Sequence, residues 1–538
     1  MKKIATLLLA AGLVFGAATG ASAIDFKAKG QWIMSFDYGQ NGGFTGGNGM
    51  TGYNKATKQG KNEDEFNAMQ RVRLQLDAVA SESLSGTVFF EIGGQSWGNA
   101  SNGGALGADG NNVVKVKNAY IDWMVPQTDL KVRMGIQGLA LPSFTTGTNV
   151  YNDDVAAVVA SYQFNENVGL TAFWARPFND NFTGWDDAGH GKNYEQNYMD
   201  NVDMFGLLVP LSFDGVKVTP WGMMAAIGPN AFGAQKYVDD DPTKGTNGRD
   251  YFNVPGTSNK YPAAGMLPVG GAMHKDGTPV KNMRLHEYGT AWWAGLTGEV
   301  TMWDPFRIAW DFNYGAVNYD ESRLNRSGWL ASLLFEYKMD WGIPGLYGWY
   351  ASGDDDNPAN GSERMPSMSV NNGNNGFSNF AFNGNPYWTN REGVLGYSMA
   401  GTWGIGARVQ DVSFVEDLKH TLRVNYIGGT NAPKMAKYIV GNVDRGYPGL
   451  GGNITGPNMQ AVGMDPLYMT TEDSALEIGL SNSYQMYENF TVYLDANYLA
   501  TWLDHSRSVW GNSKMNGKGG SDQERDPWNV NLSFVYAF

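Results

Sequence analysis

Cationic side chains recur in the same phase along several stretches of the chain: Arg71 and Arg73, Lys131 and Arg133, Lys419 and Arg423, and Arg307. A period of two places such residues on one face of an extended strand. The acids Asp77, Glu91, Glu299, Asp311 and Asp495 hold the same phase in their own stretches, so they could pair with the cations, and Asp153 and Asp154 stand at the entry to another strand. Guanidinium, ammonium and carboxylate groups arrayed on one face attract, orient and filter ions and polar solutes; they make no bonds. The same array also serves simply to solvate a water-filled cavity, and the preference for anions or cations stays open. Arrangements for covalent chemistry do not accompany it. The five histidines (His190, His274, His286, His420 and His505) are scattered, and neither His-Glu-x-x-His nor Gly-x-Ser-x-Gly occurs. With no cysteine, disulfide scaffolds, thiolate metal sites and thiol nucleophiles drop out, and the expectation is a protein that is not an enzyme.

The elements that must carry the charged face read as long strands. At the C-terminus Trp528, Val530, Leu532, Phe534, Tyr536 and Phe538 alternate with Asn529, Asn531, Ser533, Val535 and Ala537; Phe26 to Tyr38 repeats the pattern, as does the hairpin of Leu476 to Tyr484 with Phe490 to Tyr498. Short connections fall at 81–83, 126–129, 165–167, 212–215, 303–306, 340–343, 414–417 and 487–489. Between them lie long ones rich in Gly, Asn, Asp, Ser and Pro at 39–64, 94–112, 138–154, 177–201, 228–287, 318–326, 353–397, 429–472 and 502–525. Eight short turns and two terminal strands imply eighteen strands, or sixteen if the weakly patterned stretches near 202–211, 344–352 and 398–413 are not strands. Most segments exceed the five or six residues usual in soluble sheets and approach the roughly 9 to 11 that span a bilayer. Trp123, Trp303, Trp341 and Trp528 sit near strand ends, where aromatic girdles lie. The expected fold is all-β: a transmembrane antiparallel up-and-down β-barrel with apolar residues facing out and the alternate residues lining a lumen. In this phase Lys115 and Lys117 point outward, which a position above the membrane would accommodate, since a midplane lysine on the lipid face costs about 2–4 kcal/mol.

Composition agrees. Seventy-one glycines, 13% aromatic and 17% charged residues accompany a negative mean hydropathy, as expected where only every second residue is apolar. Met1-Lys2-Lys3, the apolar run from Ile4 to Ala18 and Gly20-Ala21-Ser22-Ala23 follow the order of a secretory signal peptide, which sets the organisation as residues 1–23 for export and 24–538 as one barrel domain. The net charge is −14, and the leader carries two lysines and no acid, so nucleic acid is excluded as a partner.

With these features the chain resembles the trimeric outer-membrane porins, and its long Asn/Gly-rich loops and Trp-rich strands are similar to the homotrimeric porins of sulfate-reducing bacteria. The resemblance implies a water-filled diffusion channel for small hydrophilic solutes and ions in the bacterial outer membrane. Its partners would be membrane lipid, lipopolysaccharide, two further copies of the chain and the outer-membrane assembly machinery, which would read Phe538 as a signal. Leu141-Pro142-Ser143-Phe144 resembles the Pro-acid-Phe segment of the constriction loop that folds into such pores, with Ser143 in place of the acid. Arg71, Arg73, Lys131, Arg133, Arg307, Lys419, Arg423, Asp153 and Asp154 would then be pore-lining or constriction residues, with Arg71, Arg73 and Arg133 facing the loop. No cofactor is implied, although Asp354-Asp355-Asp356-Asn357 offers oxygens for calcium or magnesium at an extracellular loop. Small outward residues in early strands (Ala28, Gly30, Ala68, Gly86, Ala156, Ala160) contrast with bulky later ones (Trp310, Phe312, Tyr314, Trp329, Phe335, Phe534) and suggest a trimer interface on the first strands. A substrate-specific channel and a structural or adhesive surface barrel are the alternatives.

Overall fold

The computed structural model describes residues 24–40, 64–100, 105–106, 114–179, 201–229, 231, 235–236, 251–252, 263–278, 280, 285–369, 376–382, 393–444, 467–504 and 526–538. The leader 1–23, His190 and His505 lie outside the described residues.

Eighteen antiparallel strands close on themselves. They are β1 (Asp25–Gln40), β2 (Asp64–Ser81), β3 (Leu84–Ser96), β4 (Val114–Met124), β5 (Leu130–Ala140) and β6 (Asn152–Gln163). β7 (Gly169–Asn179), β8 (Asn201–Leu208, continued by Leu211–Phe213), β9 (Val216–Ile227), β10 (Gly289–Val300), β11 (Phe306–Asn318) and β12 (Arg326–Tyr337) follow. The last six are β13 (Ile343–Ala351), β14 (Thr402–Val415), β15 (Leu418–Gly429), β16 (Ser474–Tyr487), β17 (Phe490–Trp502) and β18 (Trp528–Ala537). Each strand pairs with its chain neighbours, both pieces of β8 pair with β9, and β1 pairs with β18 from Gln31↔Ala537 to Gly39↔Asn529. All three weakly patterned stretches are strands, so the count is eighteen and not sixteen.

Alternation decides which face is which. On β1, Trp32 and Tyr38 are each 46% exposed, whereas Ile33, Ser35 and Asp37 are at most 2% exposed. The exposed series continues round the barrel through Val88, Ile121, Ile136, Phe205, Met224, Phe312, Leu333, Ile405, Leu480 and Leu494, an apolar exterior broken only locally. Polar exceptions include Arg176, which forms a bidentate pair with Asp203 (2.7 and 2.9 Å) close to the ring of Trp174.

One expectation fails for a local reason. Phe89 pairs with Asn118 but Phe90 with Val116, so a β-bulge inserts Lys117 and reverses the phase above it. Lys115 consequently stands opposite Glu91, on the lumenal phase, and Lys117 is a half-buried ion-pair partner of Asp154.

The interior of the long-connection end is packed. Inward Trp221, Met223, Ile227, Trp293, Tyr347 and Trp349 of β9, β10 and β13 share a core with Met266, Met365, Met368, Phe377, Phe380 and Phe382 from two long connections. Trp293 Nε1 donates to Pro366 O at 2.9 Å and Tyr347 stacks on Phe377 at 4.1 Å. Helix α1 (Pro433–Asp444), from the connection after β15, adds Met435, Ala436 and Ile439. Fully buried Arg326 ties connection to wall by donating to the carbonyls of Leu267, Arg364 and Met365 at 2.9–3.1 Å.

At the seam a methyl group on Gly39 would lie 2.2 Å from Trp528 O, whereas one on Gly86 meets nothing nearer than 4.0 Å. Gly39→Ala should cost about 1–3 kcal/mol and lower the thermal unfolding midpoint in a heat-modifiability gel, with Gly86→Ala unchanged; equal midpoints would contradict the seam register.

Candidate functional site in the barrel lumen

The third long connection, between β5 and β6, crosses the interior, and Asp311 makes the most bonds to it. Asp311 of β11 accepts from Ser143 Oγ (2.5 Å), Phe144 N (3.0 Å), Thr145 N (3.2 Å), and the hydroxyls of Thr145 and Thr297. Thr145 Oγ1 also meets Ser332 Oγ of β12 at 2.6 Å, and Arg307 Nη2 donates to Phe144 O at 2.9 Å. Ser143 thus donates to an acid supplied by the wall. Beyond it Gly376 N donates to Thr146 O at 3.2 Å, so the connection after β13 meets this loop within the lumen.

The lumenal cations form clusters built on shared carboxylates. Glu91 of β3 receives Arg73 at 2.9 Å and Arg71 at 3.7 Å. Asp122 of β4 takes both nitrogens of the Arg133 fork (2.7 and 2.8 Å) with Lys131 at 3.4 Å, and Arg133 lies 4.2 Å from the Tyr120 ring. Glu299 of β10 binds Lys217 and Arg307, each at 2.9 Å. Glu336 of β12 binds Arg307 and Arg408, each at 2.7 Å, with Gln410 at 3.0 Å. Bidentate and charge-assisted contacts of this length fix side chains more firmly than isolated surface pairs do.

The candidate residues therefore fall in separate places. Arg71 with Arg73, and Lys131 with Arg133, sit in two acid-centred clusters, while Arg307 is the candidate that touches the third loop. Lys419 lies 3.9 Å from Asp411, and Arg423 donates to Ser481 Oγ at 3.3 Å. Asp153 accepts from Ser369 Oγ at 2.6 Å, within the packed connection. Asp154, in the opposite phase, accepts from Asn118 at 2.9 Å and from Lys117. Phe538 exchanges backbone bonds with Gly30 of β1 (2.9 and 3.0 Å), and its ring stacks on Tyr536 at 5.9 Å. Sequence reasoning missed Arg408, Glu336 and Asp122. Arg408 lies in a weakly patterned stretch, and the others declare themselves only through cross-strand register.

A cavity of about 290 Å³ opens between β14, β15, β16 and β17, lined by Asn379, Arg408, Lys419, Thr421, Arg423, Ser481, Tyr493 and Asp495 among others. A larger recess of about 560 Å³ around Gly222, Phe205, Leu207 and Met224 has no charged lining and belongs to the apolar exterior.

In the Asp354 to Asn357 segment Asp354 is buried, and Asp355, Asp356 and Asn357 are exposed. Buried Asp354 accepts from Ser362 Oγ (2.5 Å), Glu363 N (3.1 Å) and Tyr468 OH (2.6 Å), and Asp356 pairs with Lys434 at 3.2 Å. Among the described residues no three His, Asp or Glu side chains converge as a metal site would require. Glu363 is pushed above the usual carboxylate range by burial and by the charges of Asp354 and Asp355.

No protein-family model and no curated protein matches the chain. Solved structures that align with it include the outer membrane protein OprD from Pseudomonas aeruginosa, at 9% identity over 97% of this chain and 96% of that one, with TM-score 0.48. OccK5 (OpdH) from the same bacterium aligns at 11% identity over 96% and 98%, TM-score 0.46. A loop L8 deletion mutant of OmpT, an outer membrane protein of Vibrio cholerae, aligns at 9% over 96% and 100%, TM-score 0.37.

Removing the Asp311 charge should free the third loop. In Asp311→Asn the loss of charge-assisted bonds worth about 2 kcal/mol should lower hydrogen-exchange protection of the Phe144 and Thr145 amides roughly thirtyfold, and unchanged protection would show the loop to be held elsewhere. For Glu363 the sign is opposite to that of a paired acid. A folded pKa above the unfolded one stabilises the connection at low pH, and the contribution disappears as pH rises through the folded value. Exchange across 354–363, corrected for intrinsic rate, should therefore accelerate on going from pH 4 toward neutrality. Glu363→Gln should flatten that dependence.

Proposed function

We propose that the protein is an outer-membrane channel through which small hydrophilic solutes cross by diffusion. The observation that carries this reading is the closed eighteen-strand wall, apolar outside and charged inside, with a loop pinned across its lumen by Asp311. A soluble barrel has no use for an apolar exterior of this extent. A structural or adhesive barrel has no use for arginines and lysines held by acids along an inner wall.

In this reading residues 1–23 export the chain, the short turns face the periplasm, and the long connections face the exterior and lipopolysaccharide. Phe538, carried on the outer phase beside the seam, is the residue the assembly machinery would read. Three copies would associate through the small outward residues Ala28, Gly30, Gly86, Ala156 and Ala160 of β1, β3 and β6, leaving bulky Phe312, Trp329 and Phe335 to lipid. Passage runs beside the third loop, where Arg307, Arg408 and Glu336 meet. The paired clusters of Arg71 with Arg73 and Lys131 with Arg133 line the wall, where they bias which ions enter. Selectivity for particular substrates is favoured over unselective diffusion by the packed long-connection end, which narrows the route.

Purified, unheated protein reconstituted in a planar bilayer should give ohmic current steps grouped in threes, and a folded barrel that passes no current would remove the channel reading. In a potassium chloride gradient, Arg73→Gln with Arg133→Gln should shift the reversal potential toward cation preference relative to the native channel.

A further inference from the structure

The lumenal arginines differ in one respect. Arg71, Arg73, Arg133, Arg307 and Arg408 each hold a carboxylate oxygen within 3.7 Å. Among the described residues Arg423 has no such partner. Its bond is the 3.3 Å contact from Nη1 to Ser481 Oγ, and its Nε is buried without an acceptor. The register makes matters worse, because Arg423 of β15 pairs directly with Arg408 of β14. Like charges opposite one another on neighbouring strands repel, and a half-buried cation lacking a counter-ion is costly.

Glu477 and Asp495 attract Arg423 through space, but the salt bridges among the described residues include none between Arg423 and either acid. Glu477 is taken by Ser378 Oγ, the amides of Phe380 and Ala381, and Asn425 Nδ2. Glu336 is committed to Arg307, Arg408 and Gln410. Asp495, a buried acid, lines the same cavity and attracts Arg423 through space. Beside the two guanidiniums that cavity offers about 290 Å³ and the hydroxyls of Thr421, Ser481 and Tyr493, with Lys419 also in its lining.

We infer that this cavity is a lumenal binding site for a compact solute bearing one oxyanion group, held by Arg423 and Arg408 with Lys419 assisting. A planar or tetrahedral oxyanion accepts from two guanidiniums at once, and its charge replaces the repulsion between them with two attractions. The volume limits the guest to roughly ten heavy atoms, and Asp495 disfavours a second anionic end. The site rests on the channel reading for its access route. It adds a stopping place on the short-turn side of the third loop, so passage of such solutes would saturate.

The test adds potassium acetate, or separately potassium sulfate, to barrels carrying chloride current. Chloride conductance should fall along a saturating curve with either or both probes, acetate marking the site for organic acids and sulfate for inorganic ions. In Arg423→Gln the half-saturating concentration should rise about tenfold. A linear dependence in the native channel, or the same half-saturation in the variant, would overturn the site while leaving the channel intact. Should Arg423→Gln fail to fold, calorimetric titration of the native detergent-solubilised barrel with both probes decides the matter, since neither binding is a negative result. Calorimetry also separates the two ideas, because a barrel that binds without conducting keeps the site and loses the channel.

Discussion

Hydrocarbon offers a backbone N–H or C=O no hydrogen-bond partner, and each one left unpaired there costs several kcal/mol. A strand can enter such a medium only if both its edges are bonded, and a sheet only if its first and last strands find each other. The ladder between β1 and β18 meets that demand, and the rest of the molecule follows from it. Closure fixes a lumen, the period of two divides every strand between lumen and lipid, and the even strand number brings the two ends together antiparallel. Even β8, interrupted at Val209 and Pro210, keeps Val209 N bonded to Pro220 O at 3.0 Å, while Pro210 O accepts from Gly169 at 3.0 Å.

Inside the wall a second economy operates. Cations outnumber the acids they contact in each cluster: Glu91 serves two arginines, Asp122 an arginine and a lysine, and Glu299 with Glu336 serve three cations. Sharing one carboxylate between two cations holds both side chains in place without cancelling their charge. Asp311 is the contrasting case, an acid that spends its capacity on uncharged donors of a loop. One type of group thereby performs two tasks, ordering charge along the wall and positioning backbone across the lumen.

Much of the architecture was legible because alternation and turn chemistry are local. All eight short connections fall where the turn-forming residues lie, and the eighteen-strand count follows from them. Where local periodicity breaks, legibility ends. Lys115 and Lys117 read as outward until the extra residue in β4 resets the phase, and no sequence signal marks a bulge of that kind. Arg408 and Glu336 escaped notice because their meaning is relational: one is defined by facing Arg423 across a ladder, the other by bridging arginines on two different strands. The apolar inner face of β9, β10 and β13 also defeats a simple rule of apolar outside and polar inside. Trp221, Trp293 and Trp349 point inward because long connections return to cover them, and the amino-acid pattern of a strand does not announce what will later pack upon it.

The bonds between the third loop and Asp311 join residues 166 to 168 positions apart, and those across the seam, such as Asn529 to Asp37, join residues 492 apart. Distant contacts form only after the intervening chain has been arranged, since the entropy of closing so large a loop must be offset first. The wall therefore has an order in time. Until β11 is in place the third loop has nothing to grip, and a barrel arrested earlier in assembly would hold that loop loose over an unfinished opening. The crossing of the lumen is thus acquired late, and a chain halted midway would have part of its wall without its crossbar.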